Sequence, residues 1–265
     1  MRDRDDIVPA VEAAPVTSGL QLWWFGGPSY AIKSPRTLAL VDPYRSDPRP
    51  DDPQGFVRVI PNYFSPRLVT RADLVLSTHD HADHCDPETL RPIYEQTAAV
   101  FAAAPSSAVL MRAWGFAPAR VLELTPGVTT TVGDIAVTGY RANDWEDEGA
   151  ATMVVSAGGA SVFVGGDSLL FDDLERIERA QRIDLAVFTL GRNRRDLIDA
   201  QVYLTPEEVA RGALALQARR VLPVHWDIWD AWVEDPYAVA PYLAGTPTEL
   251  VVLEQGGTLT INGDS

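Results

Sequence analysis

The chain has 265 residues, of which 46% are hydrophobic, and a formal net charge of −15 at pH 7. That length allows one large α/β domain or two small ones and buries roughly 70–75% of the unfolded surface, so the core needs no disulfide or structural metal. The acidic balance disfavours a nucleic-acid partner outside a local basic patch, and no run of eighteen apolar residues is present to cross a membrane.

Residues 1–18 are acidic, contain proline and lack periodicity, which predicts a flexible N-terminal leader or a loosely packed arm ahead of a single domain over 19–265. The arm has no apolar stretch of the secretory type, and the lone Cys85 has no intrachain partner, so a cytoplasmic protein is expected. Strands are predicted at Leu20–Phe25, Tyr30–Lys33 and Thr37–Val41, punctuated by Gly26-Gly27-Pro28 and Ser34-Pro35. A proline-rich loop follows from Asp42 to about Pro53. Ala72–Ser77 reads as a buried strand that runs straight into a histidine cluster.

Asp86-Pro87-Glu88 supplies an N-cap, a proline at the first helical position and an acidic first turn for a helix to about Glu95. A strand at Val100–Ala102, a helix at Ser106–Trp114 closed by Gly115, and strands at Val121–Leu124, Thr129–Val132 and Ile135–Tyr140 come next. Thr152–Ser156 and Ser161–Val164 bracket a glycine hairpin. The last third alternates helix (Asp172–Arg179), strand (Leu185–Thr189), helix (from Thr205-Pro206-Glu207-Glu208 to about Ala218) and strand (Val221–Val224), then ends on strands at Glu249–Leu253 and Thr258–Ile261. Many strands first, then strands interleaved with helices in both halves, suit a layered sandwich better than one parallel sheet.

Three of the four histidines lie in His79-Asp80-His81-Ala82-Asp83-His84. In extended chain, positions i and i+2 share a side, so His79 and His81 can hold one ion from a strand end while Asp83 and His84 address a second. Asp167 follows Gly165-Gly166, whose glycines let backbone approach closely, and its carboxylate can bridge two ions. His225 closes another apolar strand and completes the donor set. Two divalent ions bring the pKa of water towards about 7; Asp83 would orient the attacking hydroxide and accept its proton.

These residues resemble the metallo-β-lactamase superfamily. His79, His81, Asp83 and His84 match its H-x-H-x-D-H signature, Asp167 its bridging aspartate and His225 its last histidine. The resemblance implies an α/β fold of four layers, an αββα sandwich, and a metal-dependent hydrolase. Asp42 is similar to an aspartate that supports such sites; it is equally readable as an Asp-Pro turn initiator. A closer likeness, through Trp23-Trp24-Phe25-Gly26, Trp114-Gly115-Phe116 and Pro223-Val224-His225-Trp226-Asp227-Ile228-Trp229, is to the L-ascorbate-6-phosphate lactonase group. It implies a small anionic lactone or ester as substrate, two ions of manganese or zinc, and a homo-oligomer.

Two departures stand out. The superfamily usually has a histidine after the strand at Ile135–Tyr140, where this chain has Asp144, and the first ion is then expected on His79, His81 and Asp167 with Asp144 as a candidate donor. Fewer nitrogens favour a harder ion such as manganese. The other reading of Asp144 is a solvated loop carboxylate beside Glu146, Asp147 and Glu148. The second departure is Trp226 in place of a histidine, where an indole can only stack or close the pocket. Asp80 is expected to support a neighbouring histidine or the loop. In Gly191-Arg192-Asn193-Arg194-Arg195, Asn193 and Arg195 resemble anion-gripping positions of the lactonase group; the alternative is a surface loop pairing with Asp196 and Asp199. Trp226, Trp229 and Trp232 have helical spacing, which reads as packing. Competing functions are a phosphodiesterase of the same fold and a non-catalytic metal-binding protein.

Overall fold

The computed structural model describes residues 7–46, 56–194 and 199–263. In chain order the first sheet takes β1 (Leu20–Gly26), β2 (Ser29–Lys33), β3 (Leu38–Val41), β4 (Leu74–Ser77), β5 (Val100–Ala103) and β6 (Val121–Glu123). The second takes β7 (Thr129–Val132), β8 (Ile135–Arg141), β9 (Ala151–Ala157), β10 (Ala160–Val164), β11 (Leu185–Thr189), β12 (Arg220–Val224) and β13 (Glu249–Leu250). The last strand, β14 (Thr258–Ile261), returns to the first sheet, giving the orders β14-β1-β2-β3-β4-β5-β6 and β13-β12-β11-β10-β9-β8-β7.

Alternation along each strand builds the layers. On β1, Leu20, Leu22 and Trp24 point between the sheets, where they meet Ile32, Leu76, Met153, Val162 and Val187. Trp23 and Phe25 point the other way, into a cluster shared with α1 (Ile7–Ala13), α2 (Pro87–Gln96) and α3 (Pro105–Ala113). On the second sheet Val162 and Val164 face inward, and Phe163 faces α4 (Leu174–Ala180), α5 (Pro206–Ala215) and α6 (Ala240–Leu243). Strands covered on both faces read as continuous apolar runs, and the result is the four-layer αββα sandwich.

Local signals placed most elements within two residues. Asp86 caps α2 through Glu88 N and Thr89 N, and Thr205 and Glu208 form the full capping box of α5. Gly158 and Gly159 both take positive φ, as a two-residue primed hairpin turn requires. Two expectations need correction. The arm predicted over residues 1–18 contains α1, which buries Val8 and Val11 and has its C-terminal carbonyls held by the Lys33 ammonium. Seven residues with a proline inside carry little helix signal, and tertiary contact supplies the order. The last-but-one strand is Glu249–Leu250, not Glu249–Leu253, because pairing with β12 stops after Val221↔Leu250.

Parallel halves place the functional edge. β3, β4, β5 and β6 run parallel in one sheet, and β10, β11, β12 and β13 in the other. Their C-terminal ends open onto one rim of the sandwich.

Candidate metal centre

Each donor sits just beyond a strand. β3 ends at Val41 and hands over to Asp42; β4 ends at Ser77 and leads into Thr78–His84. On the second sheet β8 precedes Asp144, β10 precedes Gly165-Gly166-Asp167, and β12 precedes His225. The two layers therefore converge on one cluster of donors.

That cluster divides into three overlapping trios, each with one donor atom per residue and all atoms within 4.8 Å of one another: His79, His81 and Asp144; His79, His84 and Asp167; Asp83, His84 and His225. Asp167 Oδ2 lies 3.3 Å from His84 Nε2 and 3.7 Å from His79 Nε2. Asp83 Oδ2 lies 3.1 Å from His225 Nε2. His79, His84 and His225 are each 1% exposed. The Nε2 atoms of His79 and His84 and Asp144 Oδ2 have no hydrogen-bond partner. Buried polar atoms left bare are costly, about 1–3 kcal/mol each, so several aimed at one point suit a cation that would satisfy them together.

The surrounding groups orient these donors. Asp42 accepts hydrogen bonds from Thr78 N (2.9 Å) and Thr78 Oγ1 (2.7 Å), and its Oδ2 lies 2.9 Å from His84 Nδ1, which leaves Nε2 facing the cluster. Asp42 does this at φ 41°, in the left-handed region that tolerates aspartate better than most residues. Asp144 Oδ1 accepts from Glu146 N and Asp147 N, both 2.9 Å, and this turn leaves Oδ2 without a partner on a carboxylate that lies within 4.8 Å of ring nitrogens of His79 and His81. Thr189 Oγ1 donates to Asp167 Oδ1 at 3.0 Å. Trp229 Nε1 donates to Asp83 Oδ2 at 2.8 Å.

Electrostatics follow from this crowding. Burial disfavours a charged His84, but Asp167, Asp42 and Asp83 outweigh it and hold the imidazole pKa well above its ordinary value. Burial and the neighbouring His84 push His79 well below its own. Asp83 and Asp167 are held low despite burial, Asp83 by His84, His225 and the Trp229 N–H, Asp167 by His84, His225 and His79. Carboxylates this deep draw positive charge into the cluster, and a divalent cation meets the same demand as a proton on His84.

The other expected residues fall elsewhere. Asp80 makes no hydrogen bond to a histidine; its N–H donates to Asp147 Oδ2 at 3.3 Å, and burial with the nearby Asp147 raises its carboxyl pKa. Asp147 also accepts from Ser106 Oγ and Gly149 N, so it anchors the loop. Trp226 is half-buried and packs at 5.6 Å on the Trp24 ring and against both cores. Asn193 lines a cleft of about 950 Å3 with Arg192, Gln201, Trp232, Glu234 and Tyr203, whose ring lies 4.7 Å from that of His225. Arg195 lies outside the described residues. Cys85 is buried, and its thiol pKa is pushed up to about 12 by burial.

Trp229 was not singled out from the sequence because tryptophans at 226, 229 and 232 resemble a packing stripe; no helix forms there, and Trp226 packs on Trp24 while Trp229 and Trp232 join a different cluster. Thr78 and Thr189 carry no sequence signal beyond following or ending a strand. Tyr44, Tyr203, Trp229 and Trp232 form a buried aromatic wall beside the donors, with Phe56, Ile60 and Trp145 packed against it.

Residues 40–226 match the beta-lactamase superfamily domain. The chain is 26% identical over 207 residues to a protein of Escherichia fergusonii named probable L-ascorbate-6-phosphate lactonase, covering 70% of this chain. It spans 58% of that relative's length. Among solved structures, Igni18, a metallo hydrolase of the archaeon Ignicoccus hospitalis, aligns with a TM-score of 0.72 at 17% identity, covering 93% of this chain and 100% of that one. Isothiocyanate hydrolase from Delia radicum gut bacteria aligns with a TM-score of 0.74 at 12% identity, covering 92% and 100%. At such identities the likeness to both structures is one of fold.

Proposed function

The chain belongs to the beta-lactamase superfamily, and from that premise we propose that it is a metal-dependent hydrolase acting on a small anionic lactone or ester. The observation that carries this reading is the pair of buried Nε2 atoms of His79 and His84, neither with a hydrogen-bond partner, converging on Asp167. One ion would be held by His79, His81 and Asp144, a second by Asp83, His84 and His225, with Asp167 between them. Three carboxylates among seven donors favour manganese over zinc. Such a pair supplies Lewis acidity, activating water near neutral pH and polarising the substrate's carbonyl oxygen.

The chain's own residues do the rest. Asp83 orients the attacking water and takes up its proton; the Trp229 indole fixes one of its oxygens. Asp42 keeps His84 in the tautomer whose Nε2 faces the donors. The aromatic wall of Tyr44, Tyr203 and Trp229 keeps bulk water off the second trio. The lactone class draws on the Escherichia fergusonii relative's name and on the resemblance of Asn193 and Arg195 to anion-gripping positions of the lactonase group.

Metal analysis of protein reconstituted from a manganese and zinc mixture, followed by hydrolysis assays on lactones, carboxylic esters and phosphodiesters, tests the proposal. Two equivalents per chain, predominantly manganese, and lactone or ester turnover lost by 10²-fold or more in Asp83→Ala are expected. Fewer than two equivalents overturns the two-ion centre. Turnover confined to phosphodiesters overturns the substrate class, and undiminished turnover in Asp83→Ala overturns its role.

A further inference from the structure

Residues 225–229 leave β12 as turns, and alternate side chains take on distinct tasks. His225 sits at φ 69°, a conformation a histidine keeps only when its surroundings hold it. The holding group comes from the other sheet. His225 N donates to Gly27 O at 3.1 Å, and the same carbonyl accepts the Trp24 indole N–H at 3.0 Å. Gly27 is in turn fixed by its own N–H, which donates to Asp227 Oδ1 at 3.0 Å. Gly27 lies at φ 56°, and a Cβ there would stand 2.7 Å from Ile228 Cδ1, so the turn between β1 and β2 is seated directly in the 225–228 loop.

Trp229 acts on the other member of the trio. Its N–H reaches Asp83 Oδ2 at 2.8 Å, on the carboxylate oxygen that also lies 3.1 Å from His225 Nε2. Ring contacts fix the direction of that N–H: Tyr44 at 6.1 Å and Phe56 at 6.0 Å, with the Arg58 guanidinium 5.5 Å from the indole. Backbone bonds from Val59 N to Ile228 O and from Asp230 N to Val57 O hold the loop on both sides of the indole.

We propose that Asp227 and Trp229 are the positioning residues of the second donor trio, Asp227 setting His225 through Gly27 and Trp229 setting Asp83 through its indole N–H. This rests on the two-ion reading above. Neither residue belongs to a donor trio; each fixes the geometry of one donor.

Isothermal titration of the metal-free protein with manganese separates the possibilities. Wild type is expected to show two binding events. In Trp229→Phe, which keeps the ring packing and loses only the N–H, the second event should weaken by about 10–100-fold while the first is unchanged. Asp227→Ala should do the same, and Asp227→Asn, which retains an acceptor for Gly27 N, should restore wild-type affinity. Both events weakening equally, with a lower melting temperature of the metal-free protein, would mean a merely structural role and overturn the proposal, as would two unchanged events in Trp229→Phe. A single event in wild type would instead overturn the two-ion reading.

Discussion

Gly166 shows how narrow the tolerance around the donors is. It adopts φ 54°, and a Cβ built there would lie 2.8 Å from Thr78 Cβ. Thr78 cannot retreat cheaply, since its N–H and hydroxyl are both bound to Asp42 and its hydroxyl also lies 3.0 Å from His79 Nδ1. Gly166→Ala should therefore cost about 1–3 kcal/mol in urea unfolding and weaken metal binding, because it shifts Asp42, His79 and Asp167 together. A variant with wild-type stability and metal content would show that the close approach is dispensable. Much at this scale was legible beforehand. Histidines and aspartates at strand ends announce themselves by spacing, whereas for Asp144 the sequence left a donor and a solvated loop carboxylate both open, and only the fold brings it near His79 and His81. What remained hidden is the set of contacts made across the chain: nothing near Asp227 in sequence points to Gly27, and nothing near Trp229 points to Asp83.

At the scale of elements, the same contrast separates capped helices from α1. The helices α2 and α5 carry their start signals in their own residues, and their first turns fall where Asp86-Pro87 and Thr205-Pro206 place them. The seven residues of α1 rely on Lys33 of β2, a buried ammonium that donates to Val11 O (2.9 Å), Glu12 O (2.7 Å) and Ala14 O (2.6 Å). Glu12 in turn accepts from Thr70 N and Arg71 N, tying the end of the helix to the segment before β4. Lys33→Met keeps the apolar stem and removes all three donors. It should lower stability by about 2 kcal/mol, a fall in melting temperature of about 4–8 °C, and expose α1 to limited proteolysis while the metal centre on the opposite rim keeps its content. Equal protease resistance in the variant and wild type would assign the order of α1 to Val8 and Val11 alone.

For the molecule as a whole, charge and burial act together at high pH. Burial pushes the Cys85 thiol from its ordinary 9.0 up to about 12, and holds the phenols of Tyr30, Tyr44 and Tyr203 above their ordinary range, with nearby carboxylates adding to the effect. All four groups are neutral when protonated, so the folded state keeps protons that the unfolded chain releases earlier. Stability from these groups is complete below about pH 9 and is lost as pH rises through the raised values, on the order of 1 kcal/mol per pH unit for each group titrating. A chain already at −15 gains further negative charge along the way. Urea unfolding midpoints should fall steadily above pH 9, more gently in Cys85→Ala and more gently in added salt. A midpoint flat to pH 11 would contradict that origin.

One feature of the first sheet reaches beyond the finished structure. β1 pairs with β14, Leu20 opposite Ile261, so the edge strand of that sheet and its neighbour come from opposite ends of the described chain. During synthesis, at about 5–20 residues per second, β1 can pair with β2 at once, but its other edge stays open until residues 258–261 have been made. An apolar edge carrying Leu20, Leu22 and Trp24 is in that interval a template for strands of other nascent chains. The closing pairing also carries a large loop-entropy cost, which places it late in folding. Yield on overexpression should accordingly respond more to slowed translation and chaperone supply than to the amount of metal in the medium.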